Sequence, residues 1–345
     1  MRYPLPLRAP ARIAVTAPSS GVPAALHPRL DLVIGHLARR GFAVEQGQCL
    51  RQNLGHVSAN AEARAAELMR YLLDDSIAAV LPPWGGELAI ELLARLDFAA
   101  IAAAKPKWLM GFSDLSTLML PLTLLAAWAT AHGPNLMDLA PAQSDPLSAS
   151  VFQHLATAAG GAFIQASSTH WQARWRDFAE DPAAGFDLTE PTRLECLNPA
   201  GHDEAEFSGR LIGGCLDTIR HLAGSRYGDV PRFIAAHRAE GTILYFENAE
   251  MRPCDYARTL EGLRLAGWFE GVSGLILGRS TAPEATEAGA LSQRAVVAAA
   301  LGSLGCPVLL EADIGHRPPH WLMINGALAR VRYRTGAATI EQRLV

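Results

Sequence analysis

The sequence contains no CxxC pair and no Cys/His cluster, and its five cysteines (Cys49, Cys196, Cys215, Cys254 and Cys306) are scattered singly. That excludes a zinc ribbon, a redox dithiol and a disulfide framework as readings, and it fits thiols used as small hydrophobes in a reducing compartment. Phosphate-cradling motifs are also missing: there is neither GxGxxG after the first strand nor GxxxxGK[ST] anywhere. No basic stripe is present, and 30 Lys and Arg against 34 Asp and Glu leave a formal charge of -4. The chain therefore has no electrostatic reason to bind nucleic acid or an anionic membrane. Its longest apolar stretch, 118–131, is interrupted by Pro121 and is too short to span a bilayer. Arg2, Arg8, Arg12 and several prolines break the N-terminus, which lacks the apolar core of a signal peptide. A cytoplasmic protein is expected, with no nucleic-acid or membrane partner and no metal site.

Half of the 345 residues are hydrophobic and 19% are charged, an ordinary globular balance, and the length suggests two domains around separate cores. The first 142 residues alternate in an α/β manner. "ARIAVTAPSSG" reads as a strand and loop, "HPRLDLVIGHLARRGFAV" as an amphipathic helix, "IAAVLPPWGGE" as a buried strand, and "PKWLMGF" as another strand before an apolar helix. Runs apolar throughout and separated by helices predict a Rossmann-like parallel sheet. The loops at the carboxyl ends of its strands, 18–21, 82–87 and 111–114, then share one edge. Residues 143–205 are polar and rich in prolines and aromatics, and they read as a connector or lid. A second apolar region, 206–345, mixes short strands and helices into a smaller α/β domain, with a hairpin expected across Asn325-Gly326.

Ser113, in "GFSDLS", falls where a strand ends and a helix begins. There a hydroxyl is pushed into the open beside unpaired helical N–H groups that suit an oxyanion. Ser113 or Asp114 as a helix N-cap explains the same residues. A serine nucleophile needs a base. His316, held between Gly315 and Arg317-Pro318-Pro319, is one candidate, and His132, in "TAHGPN", competes with it. Either could instead be a loop histidine bonded to backbone. Glu247 ends the buried run "GTILYFE", where a carboxylate is costly unless paired, so it suits the third, orienting position. Capping the helix that follows is its alternative role. Gly85-Gly86 would let backbone N–H groups approach a substrate closely.

"AVTAPSS", "WGGE", "PKWLMGFSDLSTL", "HGPNLMD", "GRLIGGCLDTI", "ILYFENAE" and "ADIGHRPPHWLMINGALARV" resemble, in order, the blocks of the LD-carboxypeptidase family of serine peptidases, from about Ile13 to Val331. The resemblance implies a Ser113–Glu247–His316 triad, with oxyanion donors from the backbone of Asp114 and Gly86. It also implies a homodimer that needs no cofactor. The substrate would be a small peptide, with release of a terminal D-amino acid from murein peptides, or else a peptidyl-nucleotide amide of the microcin-immunity type. A non-catalytic small-molecule binding protein on the same scaffold is the alternative of another class. This sequence departs from the muropeptide-cleaving pattern, with Trp84 in place of Arg before Gly-Gly, Phe112 for Tyr and Asn248 for Asp. Trp84, Gly85 and Glu87, with Trp171 and Trp175 of the connector, are the candidate substrate-binding residues. The two connector tryptophans are placed either to stack on a nucleotide-like group or, four apart, on one face of a plain helix.

Overall fold

Short runs apolar on both faces become the middle of parallel sheets, and two such sheets organise the molecule. The computed structural model describes residues 1–141, 145–197 and 203–345. In the first sheet β1 (Arg12–Val15), β2 (Ala43–Gln46), β3 (Ile77–Val80), β4 (Trp108–Gly111) and β5 (Ala131–His132) run parallel in the order β2-β1-β3-β4-β5. Helices α1 (His27–Arg39), α2 (Ala61–Leu73), α3 (Phe98–Ala103) and α4 (Ser116–Ala126) connect them in turn. Because β1 is followed by β2 on one side and β3 on the other, the strand order reverses there. In open α/β sheets this crevice is where ligands bind.

After α5 (Pro146–Leu155) come β6 (Ala162–Ala166), a ribbon of β7 (His170–Trp171) and β8 (Glu190–Pro191), and β9 (Glu195–Cys196). The centre of the second sheet is β10 (Glu204–Cys215), β11 (Thr242–Glu247), β12 (Gly274–Gly278) and β13 (Val308–Ala312), all parallel. The short α6 (Leu216–Ile219), α7 (Val230–Ala236), α8 (Pro253–Leu265) and α9 (Gln293–Leu301) form its crossovers. β14 (Met323–Ile324), β15 (Leu328–Arg334) and β16 (Ala337–Arg343) complete the chain, and the sheet order is β6-β16-β15-β10-β11-β12-β13-β9. Segment 143–205 thus supplies both edge strands of this sheet, β6 and β9. The expected boundary at 142/143 lies outside the described residues, and β10 runs through the one at 205/206.

The hairpin expected across Asn325-Gly326 is not formed. β14 pairs with β5 of the first sheet, and β15 turns instead at Thr335-Gly336 to pair with β16. Asn325 is buried rather than at a turn tip: its Oδ1 accepts from Gly213 N and the Tyr245 hydroxyl, and its Nδ2 donates to Thr130 Oγ1. Three buried bonds across both sheets outweigh its turn propensity.

The two sheets do not have separate cores. One apolar cluster includes Leu118, Met119 and Leu122 of α4, Ile212 of β10, Leu216 and Ile219 of α6, and Phe246 of β11. Hence α4 is apolar all round, as a helix packed between two layers must be. Ser116 Oγ at its start accepts the Cys215 amide at 3.0 Å. The carboxyl ends of β4, β10 and β11 are thereby brought to one cleft.

Candidate active site

After β4 the chain turns at Ser113 with φ of 63° and enters a single 3-10 turn, Ser113–Leu115, before α4. A positive φ costs a non-glycine residue about 1–3 kcal/mol and persists only where the surroundings over-determine it. No side-chain cap closes either the 3-10 turn or α4, so the capping role open to Ser113 and Asp114 is not the one realised. Asp114 is a buried clamp instead. Its Oδ2 accepts from Ser19 Oγ at 2.6 Å and the Ala89 amide at 2.8 Å, and its Oδ1 from Thr117 Oγ1. This ties the loop after β1 to the start of α4. Gly85 lies against the turn, since a Cβ there would sit 2.7 Å from the Asp114 amide nitrogen and 2.8 Å from Ser113 Cβ. Gly86, at φ 139°, would overlap Ser20 Oγ with any side chain, so the loop's backbone must pass this close.

Glu247 closes β11 and is 1% exposed. Its Oε2 lies 2.8 Å from His316 Nδ1, while Oε1 is buried without a hydrogen-bond partner among the described residues. It does not cap α8, which has no side-chain cap. Gly315 has φ of 93°, and a Cβ on it would overlap the Glu247 carboxylate, so only glycine lets the His316 loop come this near. Burial pushes the Glu247 carboxyl up, yet the adjoining imidazole holds it below its usual 4.5. Burial likewise draws His316 down, but the Glu247 charge and hydrogen bond outweigh it and leave the imidazole above its usual 6.5. The ring packs edge-on against Phe112 at 4.8 Å.

Ser113 and His316 together line two adjoining cavities of about 360 and 340 Å³. Among the described residues, the Ser113 hydroxyl has no hydrogen-bond partner. The first cavity is polar, walled by Gly86, Glu87, Asp217, Arg220, Glu250 and Asp255. Glu87 there is raised above 4.5 by burial and by the nearby carboxylates of Glu250 and Asp114. The second is aromatic, with Trp84, Phe112, Trp175 and Phe178 around Gly85, Gly86 and Asp138. Trp84 Nε1 donates to Ser20 O, and Trp175 Nε1 donates to the His316 carbonyl, each at 3.0 Å.

Other candidates separate. His132 is 1% exposed, lowered to about 4 by burial, and lines neither cavity. It is a core histidine, packed against Tyr245 at 5.3 Å. The loop histidine bonded to backbone is His320, on Gly315 O, rather than His316. Trp171 and Trp175 share no helix face: Trp171 lies in β7 and Trp175 in the loop beyond it. Trp171 lines a third cavity, behind Glu247, under the guanidinium groups of Arg279 and Arg317.

Sequence reasoning missed Asp138, Phe178 and Cys215. Asp138 follows "HGPN", forms a capping box with Asn135, and is raised to about 7 by burial within the aromatic cavity. Phe178 gave no signal. Cys215 emerges only from the register of the structure, in which "GRLIGGC" and "TILYFE" are neighbouring parallel strands that set Cys215 directly beside Glu247.

A positive-φ serine at the end of one parallel sheet shares a cleft with a carboxylate-bound imidazole from a second, a grouping of the kind that serine hydrolases use. The chain belongs to the LD-carboxypeptidase family of serine peptidases, whose N-terminal domain matches residues 13–133 and whose C-terminal domain matches residues 208–331. It is a serine-type carboxypeptidase by that membership. A probable murein peptide carboxypeptidase of Bacillus subtilis is 25% identical over 317 residues, covering 91% of this chain and 87% of that protein. The microcin C7 self-immunity protein MccF of Escherichia coli is 26% identical over 246 residues, covering 70% and 68%. The structure of MccF with aspartyl sulfamoyl adenosine superposes with a TM-score of 0.81 at 21% identity over 99% of both chains, a likeness of fold. No described helix is long and apolar enough to cross a membrane.

Proposed function

We propose that Ser113, His316 and Glu247 act as a triad that hydrolyses an amide bond, and that the substrate is a murein peptide losing its terminal D-amino acid. The observation that carries this is the 2.8 Å bond from His316 Nδ1 to the buried Glu247 carboxylate, with the imidazole opening on the cavities that Ser113 lines. Glu247 fixes the proton on Nδ1, so Nε2 is free to take the Ser113 proton as Oγ attacks the carbonyl. The unpartnered hydroxyl closes on the imidazole in the substrate complex, as catalytic hydrogen bonds loose in the free enzyme commonly do. The amides of Asp114 and Gly86 hold the tetrahedral oxyanion. His316 then protonates the departing amine, and water releases the acyl group. Because serine and base come from different sheets, their relative placement sets the rate. The resemblance to the Bacillus subtilis murein peptide carboxypeptidase supports this choice of peptide.

A specific observation favours a second substrate. The cavity walled by Trp84, Phe112, Trp175 and Phe178 offers ring faces that suit a nucleobase, and MccF is described in complex with an aminoacyl sulfamoyl adenosine. Mass spectrometry of the products from an L,D-tetrapeptide and from an aminoacyl-sulfamoyl-adenosine separates the two. Release of the terminal D-residue is expected. Cleavage of the adenosine conjugate alone would move the assignment to the second reading, and turnover of neither would overturn both. On the same reading the protein works as a cytoplasmic homodimer, which light scattering tests through a mass twice that of the chain.

A further inference from the structure

We infer that Cys215, Glu247 and His316 form an inhibitory site for a zinc-type divalent cation. The site goes beyond the proposed reaction; only its inhibitory consequence rests on that reading. Cys215 and Glu247 are register partners at the ends of β10 and β11, so their side chains leave adjacent parallel strands on one side. His316 reaches the same point from the loop after β13. The thiol sulfur, a carboxylate oxygen and an imidazole nitrogen all lie within 4.8 Å of one another. Tetrahedral zinc with sulfur, nitrogen and oxygen ligands holds them roughly 3.3–3.8 Å apart, so small side-chain rotations complete the set. A second observation is independent of that grouping. Glu247 Oε1 is buried with no hydrogen-bond partner among the described residues, which costs free energy and leaves a lone pair open to a cation.

The polar cavity supplies the way in. Cys215 and His316 both line it, and Glu87, Asp217, Glu250 and Asp255 outnumber Arg220 and His221 along its walls, which favours entry of a cation. Thiolate, imidazole and carboxylate together select zinc over magnesium or calcium, and the side facing the cavity leaves a fourth position to water.

Coordination costs the thiol its proton, which goes to solvent. The metal takes the place of the proton between His316 Nδ1 and Glu247, and that proton passes through solvent to Nε2, leaving a neutral imidazole bound to the metal through Nδ1. An imidazole protonated on Nε2 cannot accept the Ser113 proton, so metal capture switches the triad off without touching the serine.

The test uses the full chain and two probes. Cobalt(II) added to metal-free protein should give a thiolate-to-cobalt charge-transfer band that disappears in C215A. Zinc should lower turnover, measured against each variant's own metal-free rate, by about tenfold when present at about ten times its dissociation constant. EDTA should restore the rate, and C215A should resist the metal. Thermal melts of C215A and C215S establish that the variants are folded, and the folded one is used. No cobalt band in the wild type, a band that persists without Cys215, or zinc inhibition undiminished in the variant would each overturn the site. The triad reading fails separately, through absence of fluorophosphonate labelling at Ser113, which leaves the cobalt band unaffected.

Discussion

The ends of β4 and β11 meet at one cleft but solve opposite problems. At β4 the chain is bent into a positive φ at Ser113, and the result is a hydroxyl with no partner among the described residues, half-buried and open to two cavities. At β11 the backbone stays extended, and the result is a carboxylate hidden at 1% exposure and bound to an imidazole. On the proposed triad, the group that attacks is presented by strain, whereas the group that orients is withdrawn from water, where its charge is less screened. The His316 loop joins the two, reaching Glu247 only because Gly315 has no side chain.

The comparison breaks most visibly at Ser113. S113A should reduce amide hydrolysis by about a thousandfold or more while unfolding stability stays within about 0.5 kcal/mol, read by kinetics and denaturant titration. S113G should likewise be inactive yet more stable by up to about 1 kcal/mol, since glycine accepts the positive φ. Unchanged stability in S113G would show that the turn is not strained.

At β11, E247Q is expected to lower kcat by about a hundred- to ten-thousandfold. The pH profile gives a sharper signature. With His316 as the proposed base its neutral form is the active one, so the wild-type rate should rise with pH through a value above 6.5. Loss of the Glu247 charge should move that acid limb to lower pH. The pair's effect on folding has two opposite limbs. The raised imidazole contributes stability that is full below 6.5 and lost as pH climbs through its folded value. The lowered carboxyl contributes above 4.5 and loses that contribution as pH falls through its own folded value. An acid limb unmoved in E247Q would separate the two residues.

G315A tests the junction. Its Cβ meets the Glu247 carboxylate and its φ is unfavourable, so both stability, by about 1–3 kcal/mol, and rate should fall together. The smallest effect is expected from W175F, which removes the bond to the His316 carbonyl and should change kcat/KM by less than about tenfold. A larger loss there would assign the connector a part in positioning the base.

Much of this arrangement was legible before any coordinates. Glu247 stood out because a carboxylate closing a six-residue buried run demands a partner, and Ser113 because a small polar residue separated two apolar runs. Both signals are local. What escaped is set by contacts distant in sequence. Asn325-Gly326 has hairpin chemistry, but whether β14 pairs forward or back to β5 is decided by the buried bonds of Asn325 to residues far away in the chain. The spacing of Trp171 and Trp175 fits a helix, yet the intervening chain is part of a ribbon and loop that place the two rings in different cavities. Cys215 was silent because a lone thiol at a strand end means nothing until the register of the next strand is known.

Treating the protein with a fluorophosphonate and mapping the adduct by peptide mass spectrometry tests the central claim most directly. One adduct per chain, on Ser113, formed much more slowly in a His316→Gln variant, is the expected result. An adduct on another residue, or continued amide cleavage with Ser113 unmodified, would contradict it.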